Sequence, residues 1–187
     1  TLTISKANLG KLQLNFKPTR VKELVSSILE PIQVMAKEKN ISIIYTSAGY
    51  EADCILTDQL NIQKIFLNLL NNAVKYTPPD GHIWISVQAA KRASDMLNVE
   101  VCIKDDGIGM SKEFLAHLYE PFVQEKRKGY DALGTGLGLS IVKQLVDLFK
   151  GTIRVESEWN HGTSFTVGLS FKEIKTLPEA SCPDKIV

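Results

Sequence analysis

The stretch DQLNIQKIFLNLLNNAVKYT (58–77) decides the fold. Ile62, Ile65, Phe66, Leu69, Leu70 and Ala73 fall at offsets 0, 3, 4, 7, 8 and 11, the apolar stripe of an amphipathic helix. Asn68, Asn72 and Lys75 stand at i, i+4 and i+7, so they share one face beside that stripe. Asn costs roughly 0.5 kcal/mol against Ala in a helix interior, yet Asn68, Asn71 and Asn72 crowd one segment. A helix built only to pack would carry Glu, Lys or Gln there. A carboxamide oxygen is a neutral, hard ligand suited to Mg²⁺, and a lysine one turn further on can meet a phosphate. A solvated face that happens to carry Asn is the plainer alternative, and this helix alone does not separate the two.

Upstream of this helix, Leu12, Leu14 and Phe16 alternate with polar residues as in a half-buried strand. Val21, Leu24, Val25, Ile28, Leu29 and Ile32 then repeat at helical spacing, with Thr19 as N-cap and Pro31 as a kink. ISIIYTS (41–47) and DCILT (53–57) read as short strands. Downstream, Asp80-Gly81 turns the chain into a hairpin whose strands alternate through Ile83, Ile85, Val87 and Ala89, and through Leu97, Val99, Val101 and Ile103. Residues 111–133 begin as a short helix (SKEFLAHLYE) and continue as a polar, basic segment without a period, a length that marks a functional flap or disorder. A helix follows, with Ile141, Leu145, Val146, Leu148 and Phe149 as its buried side, and TIRVESE and TSFTVGLSF close the chain as a second hairpin.

Composition sets bounds. The 187 residues suit one domain, and 44% apolar content is enough for a core. A net charge of +1 gives no argument for nucleic acid or a membrane surface. No apolar run approaches the ~18 residues of a membrane span. Cys54, Cys102 and Cys182 are odd in number and lack CxxC spacing, which fits a reducing compartment, with Cys54 and Cys102 as core thiols. No cluster of His and Cys has metal-ligand spacing.

Two glycine clusters remain. Asp105-Asp106-Gly107-Ile108-Gly109 follows a strand directly. A carboxylate there can accept a hydrogen bond from an exocyclic amine, while the glycines admit a flat ring; an ordinary Asp-Gly turn reads the same way. Gly134-Thr135-Gly136-Leu137-Gly138 opens the later helix, and exposed amides at a helix N-terminus form an anion site. It is neither a P-loop, since no Gly-Lys-Ser/Thr follows, nor a dinucleotide fingerprint, since no buried strand precedes it.

The order of these parts carries more than any one of them. NLLNNAVKYT, DDGIGM, LYEPFVQ, GTGLGLSIVK and GTSFTV together resemble the asparagine box, first glycine box, phenylalanine box, second glycine box and last glycine-containing strand of the ATP-binding domain of sensor histidine kinases. That domain belongs to the gyrase, chaperone, histidine kinase and mismatch-repair ATPase superfamily. The resemblance runs from about Phe16 to Phe171. It implies an α/β two-layer sandwich, a mixed and mainly antiparallel sheet with three helices on one face, the Bergerat-type ATP-binding fold. Residues 12–175 would form that domain with an ATP lid at about 111–134, 1–11 would end a preceding dimerisation helix, and 176–187 would be a loose tail.

The resemblance also implies roles. Asn72 would hold Mg²⁺ with Asn68 beside it, and Lys75 and Tyr76 would lie near the phosphates and the ribose or adenine. Asp105 would bond the adenine amine, helped by Gly107, Gly109 and Thr163. Gly134, Thr135, Gly136, Leu137, Gly138 and Leu139 would line the phosphates, and Lys126, Arg127 and Lys128 of the lid would reach the γ-phosphate. Two departures stand out: Gln124 occupies the place of a common arginine after the phenylalanine box, and Asn61 that of an arginine early in the asparagine helix. Hydrolytic branches carry a glutamate as general base four residues before the Mg²⁺ ligand. This chain has Asn68, which cannot take a proton. None of His82, His117 and His161 has the setting of a phospho-acceptor. The expectation is therefore the catalytic part of a two-component kinase that transfers the γ-phosphoryl of Mg-ATP to a histidine on a separate dimerisation domain, for passage to a response-regulator receiver. The full protein is expected to be a homodimer, the domain cytoplasmic and membrane-anchored, without a nucleic-acid partner. A clamp-type ATPase and a non-enzymatic nucleotide-binding module are the alternatives.

Overall fold

A computed structural model describes residues 13–92, 95–124 and 135–175. The elements run β1 (Lys17–Arg20), α1 (Val21–Glu38), β2 (Ser42–Gly49), β3 (Cys54–Thr57), α2 (Gln59–Tyr76), β4 (His82–Lys91), β5 (Met96–Asp105), α3 (Lys112–Leu115), α4 (Gly138–Leu148), β6 (Thr152–Glu158) and β7 (Gly162–Glu173). They form a seven-stranded sheet in the order β1-β3-β7-β5-β4-β2, with β6 also paired to β7. Only β2 and β4 run parallel. The mixed, mainly antiparallel sandwich is thus as expected, with the one-turn α3 added to the three long helices.

Each long helix buries one stripe. α1 contributes Leu24, Ile28, Ile32 and Ala36; α2 contributes Ile62, Ile65, Phe66, Leu69, Leu70, Ala73 and Val74; α4 contributes Val142, Leu145 and Val146. These join Ile83, Ile85, Leu97, Ile103, Phe165, Val167 and Leu169 from one face of the sheet in a single apolar core. α2 begins at Asp58, whose Oδ1 accepts from the Asn61 amide at 3.0 Å, and whose Oδ2 accepts from Asn61 Nδ2 and the Asn15 amide, both at 2.8 Å. Burial pulls this carboxyl upward, but the Asn15 and Asn61 donors hold it below its ordinary value. Among the described residues no helix is long and apolar enough to cross a membrane.

Several local expectations are corrected. Residues 13–16 are not a strand, because Lys17 pairs with Thr57 and β3 ends there, leaving earlier residues without a ladder partner. Phe16 packs edge-on against Phe149 instead, with ring centroids 6.2 Å apart. Thr19 does not cap α1: it is buried in β1, Arg20 holds the cap position, and the Val21 amide donates to the Asp53 carbonyl at 3.0 Å. α1 continues through Pro31, which sits on its exposed side, because the stripe is anchored before and after it. The lid helix keeps only its first turn, and Ile141 is exposed while Val142 is buried. Cys54 is a core thiol; Cys102 is only half-buried, its Sγ 3.3 Å from Ser164 Oγ. Cys182 and the segments 1–11 and 176–187 lie outside the described residues.

Candidate functional site

The period-two phase that carries Leu97, Val99, Val101 and Ile103 under the helices carries Asp105 to the same face. Asp105 stands in the middle of the sheet, in register with Ile83 on β4 and Thr163 on β7, and is buried. The amides of Gly107, at 2.9 Å, and Thr163 donate to its carboxylate. Burial nevertheless dominates and pushes its pKa up to about 6, with neighbouring Asp106 adding to the rise. Asp106 turns outward instead: its Oδ1 accepts from the His82 amide at 2.8 Å, and its Oδ2 lies 3.0 Å from His82 Nδ1. The His82 ring stacks on Trp84 at 5.5 Å.

Asp105 lies at one end of a cleft of about 270 Å³ between α2, the β5–α3 loop, β7 and the start of α4. Asn68, Asn71, Asn72, Lys75 and Tyr76 line it from α2. Asn68 donates its Nδ2 to the Lys64 carbonyl at 2.7 Å, which turns Oδ1 away from its own helix. A β-carbon at position 138 would come within 2.8 Å of that oxygen, so any larger residue there would push the Asn68 carboxamide aside. Among the described residues no protein group partners the Asn72 carboxamide, which is therefore open to a hard cation; its neutral oxygen fits Mg²⁺ held jointly by substrate phosphates. No group of three or more His, Cys, Asp or Glu that could hold a metal occurs among the described residues. The Lys75 ammonium lies 4.5 Å from the Tyr76 ring centroid.

Two backbone ties set the cleft's walls. Gly109 has φ +61°, and a β-carbon there would overlap the Glu158 carbonyl, so the loop after Asp105 lies flat against the β6–β7 turn. The Asn160 amide donates to the Ile108 carbonyl at 2.9 Å in the same contact. Across the cleft the Phe122 amide donates to the Gly136 carbonyl at 2.9 Å. α4 starts at Leu137 without a side-chain cap, leaving its first amides available for an anion.

Of the residues singled out from the sequence, Asn68, Asn72, Lys75, Tyr76, Asp105, Gly109, Thr135, Gly136, Gly138, Leu139 and Thr163 line this cleft. Gly107 bonds Asp105 from beside it, and Leu137 is the cap position of α4 rather than a wall. Lys126, Arg127, Lys128 and Gly134 lie outside the described residues. The apolar lining was not foreseen: Ile103, Ile108, Met110, Phe114, Leu118 and Phe165. Ile103 and Phe165 could have been found from strand alternation, but Phe114 and Leu118 depend on how α3 folds back. Gln124 lines the cleft as well.

Comparisons with known proteins agree with this geometry. Residues 57–173 match the family model described as histidine kinase-, DNA gyrase B-, and HSP90-like ATPase. The chain is 33% identical over 180 residues to the autoinducer 2 sensor kinase/phosphatase LuxQ of Vibrio cholerae, covering 96% of this chain and 21% of LuxQ. It is 34% identical over 170 residues to the circadian input-output histidine kinase CikA of Synechococcus elongatus, covering 89% and 22%. It thus spans about a fifth of the length of these relatives. Among solved structures, full-length ShkA in complex with AMPPNP superposes with a TM-score of 0.70 and 28% identity, over 92% of this chain and 35% of that one.

Proposed function

Since the chain belongs to the histidine kinase-, DNA gyrase B-, and HSP90-like ATPase family, we propose that it is the ATP-binding catalytic domain of a two-component sensor histidine kinase. It binds Mg-ATP in the α2–β5–α4 cleft and presents the γ-phosphoryl to a histidine carried by a dimerisation domain of the same protein. The observation that carries this reading is the pairing of a buried Asp105 with the Asn-bearing face of α2 across one cleft.

Asp105 accepts from the adenine amine, and Ile103, Met110 and Phe165 offer the ring apolar wall. Asn72, with Asn68 beside it, holds Mg²⁺, which neutralises phosphate charge when bound. Lys75 and the first amides of α4 face the phosphates. The chain's contribution is positioning and charge stabilisation. The bond to the γ-phosphorus passes from the β,γ-bridging oxygen to an imidazole nitrogen, ADP leaves, and the imidazole proton goes to solvent. Asn68, with its Nδ2 committed to the Lys64 carbonyl, offers water no base, which favours transfer over hydrolysis. Lys126, Arg127 and Lys128 then serve the γ-phosphate from the lid. A receiver domain takes the phosphoryl onward, and the full protein acts as a membrane-anchored homodimer.

The test is to incubate the chain with Mg²⁺, γ-labelled ATP and the histidine-bearing segment of the same protein. Label on that histidine with little free phosphate is the expected outcome. Rapid phosphate release without transfer would make it a clamp-type ATPase. Bound nucleotide with neither signal would make it a binding module.

A further inference from the structure

We propose that the open edge of β2 is a self-association surface, on which a second copy of this chain adds its own β2 antiparallel and joins the two sheets. The inference does not rest on the nucleotide chemistry. β2 is the outermost strand and pairs only with β4. Its eight residues, SIIYTSAG, include no charge and no proline, and Ile43 alone is even partly buried. Exposed edges are ordinarily guarded by charge, proline, a bulge or a covering segment, and the described residues supply none here.

The direction of the free backbone groups follows from two bonds. The Ser42 amide donates to the Gly81 carbonyl and the Tyr50 amide to the Ala89 carbonyl, both toward β4. Alternation therefore turns the N–H and C=O of Ile43, Tyr45 and Ser47 to the open side. The side chains point to a missing neighbour as well. Tyr45 is in register with Ile85, which is buried beneath the helices, yet Tyr45 is 41% exposed. Met35 continues the α1 stripe, three residues after Ile32 and seven after Ile28, yet is 42% exposed.

The strand suits its own copy. A two-fold axis at Tyr45 pairs Ile43 with Ser47 of the second copy and uses those outward groups in both directions. No like charges meet along the ladder, and the two tyrosines form a cross-strand aromatic pair.

Sedimentation of the whole chain across a dilution series reads this directly. The expected result is a reversible monomer–dimer equilibrium. Ser47→Pro removes one outward N–H without touching the β4 ladder and should weaken the dimer by about tenfold or more, since the change counts twice. Tyr45→Lys sets two ammonium groups opposite each other and should abolish it. Circular-dichroism melts of both variants check that the monomer still folds, and Tyr45→Lys, a surface change, decides if Ser47→Pro does not. A chain that stays monomeric to its solubility limit, or a dimer indifferent to Tyr45→Lys, overturns the proposal.

Discussion

Asp105 is a group held at a cost. Its rise from 3.8 to about 6 means that the folded chain disfavours the ionised form, a difference of about 3 kcal/mol at most. The sign follows from the raised value: this penalty is absent below the ordinary value of 3.8, grows as pH climbs from there to about 6, and is complete above that. Asp105→Asn keeps one acceptor oxygen and removes the buried charge, so the ligand-free chain should gain about 1–2 kcal/mol at pH 8, measured by urea unfolding. The same variant should lose measurable ATP binding in calorimetry, because the amide offers the adenine amine a weaker acceptor and adds a competing donor. Wild-type affinity should weaken as pH falls below about 6, where the carboxyl takes up a proton, and level off above pH 7. This residue was legible because it closes a strand whose alternation is clean and because two glycines follow. Phe114 and Leu118 were not, since their place depends on how a segment without a period folds back.

α2 carries the polar face of the cleft, and its far end is held by the residue that caps the C-terminus of α1. Lys39 Nζ donates to the carbonyls of Val74 at 2.8 Å, Lys75 at 3.1 Å and Thr77. These are the orphan acceptors of a helix C-terminus, where a cation is doubly favourable. Burial lowers the pKa of Lys39, yet the ammonium remains the donor these three oxygens require. Lys39→Met should destabilise the chain by about 2 kcal/mol, read as a lower urea midpoint. It should also weaken ATP binding, because Lys75 and Tyr76 lie in the turn that Lys39 secures. Nothing in the sequence announced this tie: Lys39 and Val74 are far apart in the chain, and a lysine beyond a helix end reads as solvated. Helix existence was legible from the 3.6-residue period, whereas β1 was misplaced because its limits are set by the length of β3.

At the scale of the molecule the sheet has two unequal parts. β7, β5, β4 and β2 form long ladders, whereas β3 meets β7 through only Ile55↔Glu173 and Leu56↔Lys172. The β1–β3 corner should therefore exchange its amides faster than β5 or β7, as hydrogen exchange would show. Mg-ATP in the proposed cleft would touch α2, β5, β7 and α4 at once, so saturating ligand, about a hundredfold above Kd, should stabilise the whole chain by roughly 2.7 kcal/mol. Asp105→Asn should remove that gain. The overall architecture was legible from hydrophobic period and turn residues; the order of strands was not, since non-sequential neighbours such as β3 and β7 leave no local trace. Both tryptophans stand beside residues tied to the loop that follows Asp105. Trp84 stacks on His82, which holds Asp106, and Trp159 precedes Asn160, whose amide bonds Ile108. The molecule consequently carries its own fluorophores next to that loop, and a shift in indole emission on adding nucleotide would give a binding isotherm without any attached dye.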